Sequence, residues 1–500
     1  MLLSLLFLVL STYIIFIWGR LFSCHYNKRA TESYEFFLPL IIGLCSLCFI
    51  SNTITLFIGL ASPWIYVCLL IPSFYRNAPK AFYTSIQKNL WPTSYLIQFL
   101  LIVSLLAILT MHAWEIRHPD TITYQNNLIE FALKGGHPVG IVSIKTQFGY
   151  GGSWFPVSAL FSYNFVTGKV MTFVNLTLIT VFIAYLFKKA EIGWNESNPF
   201  SLGGYILIFC LASFEYTFIR LAVTSSAPDT PAALMGLGAF MYFLNKRRQG
   251  WILTLISVTA VTMKLSLVPI LALPFLHLIE QRRKSSWVKN TILGILILTP
   301  FLIKNILSTG YILYPYPGSK ICKIQDAPTI KEVQAEADYI KAYARFKFAS
   351  RDEKDVHQIV QMPFRRWITI WWGQLSTSEQ SMMIVSFLSI FLSFYYKKKN
   401  QINNGEFWPY ITTTLFGIVF WLNLAPSIRF GSAFLFAPIV FLISKMGNQA
   451  GLPMQNTTKF LRINYTVTIL LIIVISIYLI YRILYFMDTS SLLIPKGPVG

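Results

Sequence analysis

Charge is what this chain has least of. Of its 500 residues only 12% are Asp, Glu, Lys or Arg, with 20 acids against 41 bases. About a quarter of an ordinary soluble domain is charged, so a soluble globular fold of this length is excluded. Several fingerprints are also missing. There is no phosphate-cradling P-loop, no Gly-rich dinucleotide turn after a strand and no nucleophile elbow. Any energised donor must therefore reach a site another way, and a lipid-linked donor fits. The first long polar loop holds no adjacent Asp-Glu pair and no D-x-D. Cysteine is sparse: Cys45-x-x-Cys48 lies inside an apolar run with no second pair, so no disulfide framework or metal knuckle follows.

What is present is apolar sequence, 55% of the chain. It comes in repeated runs of about 15–25 residues, the mark of a polytopic α-helical membrane protein. Helices satisfy their own backbone hydrogen bonds and so tolerate lipid. The net charge of +21 does not point to nucleic acid, because the bases sit in short clusters between apolar runs. That is the positive-inside pattern, with attraction to anionic or phosphate-bearing lipid as a second effect. The opening run lacks a basic start and a small-residue cleavage site, so it reads as a retained first helix.

Counting crossings between basic clusters gives an all-α fold of thirteen to fourteen transmembrane helices in one integral domain, 1–500. Ser51 and Asn52 divide the block 36–75 into two helices. A helix at about 95–114 delivers the chain to a first outer loop, 115–168, within which the apolar run 154–166 is expected at the interface or re-entering, with Trp154 and Tyr163 as belt residues. Further spans follow at about 169–187 and 202–220. Two short helices meeting near Lys264 satisfy the parity between Lys246-Arg247-Arg248 and Arg282-Arg283-Lys284. A helix at about 287–307 opens a second outer loop, 308–380, where Thr329-x-x-Glu332 reads as a capping box before an amphipathic helix. Four helices at about 381–396, 408–423, 430–444 and 463–485 close the chain.

This topology gathers the outer ends of many helices on one face. Glu115, His118, Asp120, His137 and Lys145 come from the first loop, and Arg220, Asp229, Lys264, Lys304 and Arg429 from later turns. Asp120 is the leading candidate. It follows a span and precedes the pattern Tyr124, Leu128, Phe131, closed by Gly135-Gly136. It can cap that helix, and it can also take a proton from an acceptor hydroxyl or hold a divalent metal. Asp229, in S-A-P-D-T-P, reads first as a helix cap and second as a ligand in the same cavity. Lys264 reads as a snorkelling base or a phosphate contact. Arg429, beside a turn proline, suits bidentate phosphate contact. Tyr124 and Trp154 are expected to position the acid, and the Tyr/Trp groups of 148–154 and 311–316 to act as interfacial anchors. His118 and His137 are read as bystanders, because no His/Cys spacing repeats.

The order of these features resembles the GT-C superfamily of membrane glycosyltransferases, and within it an uncharacterised bacterial multispan family. The resemblance rests on Asp120-x-x-x-Tyr124 after an outward helix, Trp154-Phe155-Pro156-Val157-Ser158-Ala159-Leu160-Phe161, Pro228 to Leu234, Lys264 to Ser266, Gly310 to Pro315 and Ala425 to Phe430, spanning about 95–435. It implies an enzyme of the bacterial inner membrane that moves a sugar from a polyprenyl phosphate donor to a lipid, glycan or protein acceptor on the periplasmic face. Asp120 would be base or metal ligand, with Lys264 and Arg429 on the donor phosphate. The lone first-loop acid departs from the superfamily pattern and leaves metal dependence open. Two rivals stand beside this expectation: a lipid-linked oligosaccharide flippase and an O-antigen-type polysaccharide polymerase.

Overall fold

A computed structural model describes residues 2–24, 36–75, 77–113, 118–135, 138–168, 170–196, 198–214, 218–245, 249–281, 284–324, 327–346, 349–400 and 402–447. The expected helix at 463–485, Glu115, His137 and the Lys246-Arg247-Arg248 cluster lie outside them. Among the described residues the regular structure is helical throughout, the only β pairing being an isolated bridge between Tyr311 and Lys320.

Seven helices are long and apolar enough to cross a bilayer: Leu2–Ser23, Phe37–Ile54, Tyr95–His112, Phe173–Asn195, Ser286–Thr309, Asn404–Leu424 and Ile428–Met446. Other expected crossings are shorter. Gly250–Met263 has 14 residues, which rise about 21 Å against a hydrocarbon core of about 30 Å. Charge parity counts a pair of short helices as readily as two full spans. The two helices meeting at Lys264 are present, as Gly250–Met263 and, after a 3-10 turn over Leu265–Leu271, Ala272–Gln281. The break in 36–75 comes later than Ser51-Asn52. The helix Phe37–Ile54 runs through both residues, which are buried, and the chain restarts at Pro63 with Ser62 before it.

Packing follows side-chain size and polarity. Leu2–Cys24 lies against Phe37–Ile54 through two glycines. A Cβ on Gly43 would stand 1.8 Å from the Ile15 carbonyl oxygen, and one on Gly19 would strike Pro39, so only glycine lets these backbones approach so closely. Ile428–Met446 is the most enclosed span, 67% buried against 39% for Ser286–Thr309. It packs against Pro199–Phe214, Asp229–Phe243, Thr377–Asn400 and Asn404–Leu424, and so forms the centre of that half of the molecule. Phe391, Tyr395, Ile292 and Val419 stay exposed on helix sides, as lipid-facing surface does. A buried acid explains one helix start: Glu191 accepts from the backbone N–H of Thr93 and Ser94 at 2.5 and 2.6 Å, just ahead of Tyr95–His112, and pairs with Lys188 at 2.8 Å. Those N–H groups have no partner within their own helix.

Within 308–380 the capping box is formed. The Glu332 N–H donates to Thr329 Oγ1, and the Thr329 N–H donates to the Glu332 carboxylate. On the expected apolar face of the helix Ile330–Arg345, Val333 and Ala344 are buried, Ala337 and Ile340 are half-buried and Ile330 is exposed, while Glu336, Ala342 and Arg345 are buried as well.

Candidate active site

Asp120 lies just ahead of the turn that leads into the helix Asn126–Lys134. Its carboxylate makes no cap hydrogen bond, and the residue itself has helical dihedrals. The following turn, Thr121–Gln125, is a π-helix, a local widening often found at functional positions. The Asp120 side chain is 38% exposed and lies 3.5 Å from Arg429 Nη1. Arg429 Nη1 also lies 3.7 Å from Asp229 Oδ2, and the other Asp229 oxygen pairs with Lys264 Nζ. Asp229 is the first residue of its helix, after the N-cap Pro228. Asp120 is therefore no side-chain cap, and both acids are ion-paired. Four groups from four separate segments form one chain, Asp120–Arg429–Asp229–Lys264, whose formal charges cancel.

The surrounding sequence explains why they meet. Lys264 ends the helix Gly250–Met263 in an extended conformation, and its ammonium stands 3.6 Å from the Phe430 ring centroid, a cation–π contact. Ser266 Oγ donates to the Phe430 carbonyl at 3.3 Å. The turn carrying Arg429 is held by two indoles: Trp371 donates to the Pro426 carbonyl and Trp421 to that of Ser427, each at 2.7 Å. Asp229 is placed from below. Trp154 Nε1 donates to Asn175 Oδ1 at 3.0 Å, and Asn175 Nδ2 donates to the Ser225 and Ala227 carbonyls at 3.0 and 3.1 Å. Ser226 Oγ donates to Asn126 Oδ1 at 3.0 Å, tying that segment to the helix after Asp120.

Trp154 and Tyr163 are thus not belt residues. Both are fully buried in the core, because the apolar run around them folds as Trp154–Leu160 inside the bundle. Trp154 acts on the cluster through Asn175. Ser153, next to it, donates its N–H to the Thr262 carbonyl at 2.9 Å. Gly152 permits the approach, since a Cβ there would stand 2.6 Å from the Met263 carbonyl oxygen.

Tyr124 packs edge-on against Tyr150, ring centroids 5.9 Å apart, and Tyr150 lies 5.9 Å from Tyr314. Burial pushes the Tyr124 phenol up to about 12, with the Asp120 charge adding to the shift. The Tyr150 hydroxyl donates to Glu336, which also pairs with Arg351 at 3.0 Å. Burial and the Glu336 charge hold the Tyr150 phenol well above its ordinary range. The 115–168 and 308–380 stretches are therefore joined at a carboxylate 4% exposed. Tyr311 and Tyr314 are buried rather than anchored at an interface, while Tyr316 is exposed.

Some residues collected by topology do not join. Lys145 donates to the Thr123 carbonyl at 3.1 Å, and Lys304 to Thr55 Oγ1 at 3.3 Å. Other residues escaped the sequence reading. Glu336 and Arg351 sit in a loop of balanced charge with no local signal to mark them. His118 lies with its Nδ1 4.0 Å from Asp120 Oδ2 and buried without a hydrogen-bond partner. Burial lowers its pKa, against the pull of Asp120, and Arg429 lowers it further. His118 borders the site. Among the described residues no group of three or more His, Cys, Asp or Glu side chains comes together to hold a metal ion.

No curated protein and no solved structure matches the chain. A family model described as a domain of unknown function, DUF8201, matches residues 1–436. That span takes in every spanning helix up to the turn of Arg429 and all four charged groups, and the chain belongs to this family.

Proposed function

We propose that the protein is a membrane glycosyltransferase of GT-C type, moving a sugar from a polyprenyl phosphate donor to an acceptor hydroxyl on the non-cytoplasmic face. The observation that supports this most is the meeting of Asp120 and Asp229 with Lys264 and Arg429 at the ends of separate helices. Asp120 is the more exposed acid, at 38% against 7% for Asp229, and so is the one open to an acceptor. The acceptor oxygen bonds to the anomeric carbon as the bond from that carbon to the phosphate oxygen breaks. The phosphate leaves with the bonding electrons, and the acceptor proton passes to Asp120.

The pairing gives this step an electrostatic logic. Before transfer, Arg429 is shared between two carboxylates. Protonation of Asp120 removes one of them just as the phosphate gains charge, so Arg429 becomes available to it beside Lys264 in a site partly shielded from water. Tyr124, under Asp120, keeps its proton at neutral pH and adds no competing charge. The joined outer loops would cover the acceptor.

The test is Asp120→Asn in purified protein with a labelled polyprenyl-phosphate sugar. A general base contributes about 10²–10⁴-fold, so transfer should fall by that order while the protein stays folded. Full transfer by the variant would refute the mechanism. Translocation of the labelled lipid without its consumption would refute the transferase reading and favour a flippase.

A further inference from the structure

The bundle holds a concavity of about 1480 Å³ at the end away from Asp120. Lys445 lines it from the last turn of Ile428–Gly447, whereas Arg429 is in the first turn of the same helix. The two ends are about 24 Å apart along the axis at 1.5 Å per residue. The cavity is lined by Arg20, Lys80, Lys88, Lys188, Lys189 and Lys445, against two acids, Glu196 and Glu406. Part of this charge is matched internally: Lys445 pairs with Glu406, and Lys188 pairs with Glu191. Lys189 stands 5.7 Å from the Tyr185 ring centroid. Arg20 is different. Among the described residues its Nη1 is buried without a hydrogen-bond partner, and the guanidinium lies 5.9 Å from the Phe16 ring. A buried donor left unmade is costly. The general bias of basic residues toward one side of a membrane explains neither that orphan nor its place on a cavity wall.

The wall also carries polar side chains such as Asn89 and Gln249, and an apolar stretch that includes Phe16, Ile41, Phe182 and Val440. Cations beside an apolar hollow match an amphiphilic anion. We propose that this cavity binds one anionic lipid, its phosphate headgroup held by Arg20 and Lys80 and its chain laid along the apolar wall. Free phosphate would meet the cations but leave that wall uncovered. The proposal does not depend on the transferase reading.

Native mass spectrometry of the full chain in detergent tests it, with phosphatidylglycerol, zwitterionic phosphatidylcholine or inorganic phosphate added. One phosphatidylglycerol should be retained per protein, with phosphatidylcholine bound more weakly, and excess inorganic phosphate should not displace it. Each basic residue near an anionic headgroup is worth about fivefold in affinity. Lys80→Gln, at an exposed position, should therefore weaken retention about fivefold, and Arg20→Gln at least as much. Lys134→Gln, at an exposed position outside the cavity, should change nothing. Equal retention of the two lipids, displacement by phosphate, or an unchanged Lys80→Gln protein would overturn the proposal.

Discussion

Replacing Asp229 by Asn should damage the fold far more than the same change at Asp120, although both acids touch Arg429. Asp229 is 7% exposed and pairs with two cations, Lys264 and Arg429, themselves 18% and 15% exposed. Removing one partner of a buried pair leaves a charge uncompensated and costs about 3–5 kcal/mol. Asp120 is 38% exposed and lies 3.5 Å from Arg429, so solvent screening limits its share to at most about 1 kcal/mol. The assay is equilibrium unfolding in mixed micelles of the wild type, Asp120→Asn, Asp229→Asn, Lys264→Met and the double variant Asp229→Asn/Lys264→Met. The double variant removes both charges at once and should recover much of the loss, giving a coupling of about 2 kcal/mol or more. Equal costs for the two Asn variants, or strict additivity in the cycle, would refute the claim that Asp229 is the buried centre of the cluster.

The depressed pKa of His118 sets a pH dependence. Its unfolded value is near 6.5, so below that pH the unfolded chain binds more protons than the folded one. Stability should therefore fall as the pH drops below about 6.5, until the folded-state pKa is passed. His118→Gln should flatten that part of an unfolding-versus-pH profile. Gly152→Ala places a Cβ 2.6 Å from the Met263 carbonyl oxygen. It should cost about 1–3 kcal/mol, as overpacking does, and should reduce transfer by displacing Lys264. Glu336→Gln weakens the junction with Tyr150 and Arg351, and limited trypsin digestion should then cut the 308–380 loop faster than in the wild type.

Much of the helical plan was legible because hydrophobic runs and basic clusters are local signals. The capping box at Thr329 and the paired short helices at Lys264 are read from a few adjacent residues. Errors arose where a local pattern admits two environments. The run Trp154–Phe161 is apolar whether it lies at an interface or inside the bundle, and only its neighbours bury it. Ser51 and Asn52 look like a break, yet a helix passes through them because both are buried within the bundle. Charge parity could not separate a pair of short helices from two full spans. His118 was discounted for lack of metal spacing, although its effect comes from Asp120 and Arg429 nearby.

Residue order alone was enough for a helical membrane chain with many of its acids and bases at helix ends, because the cost of burying charge in lipid writes itself into the sequence. Only the tertiary structure decided which of those groups meet. Asp120 and Arg429 lie 309 positions apart and pair, while Lys145 and Lys304, on the same list, turn to backbone and threonine. It also decided that Asp229 is the clamped acid and Asp120 the open one, that Trp154 works through Asn175, and that Glu336 joins the loops. Pairing through space across hundreds of residues leaves no period in the chain, and burial depends on what packs alongside.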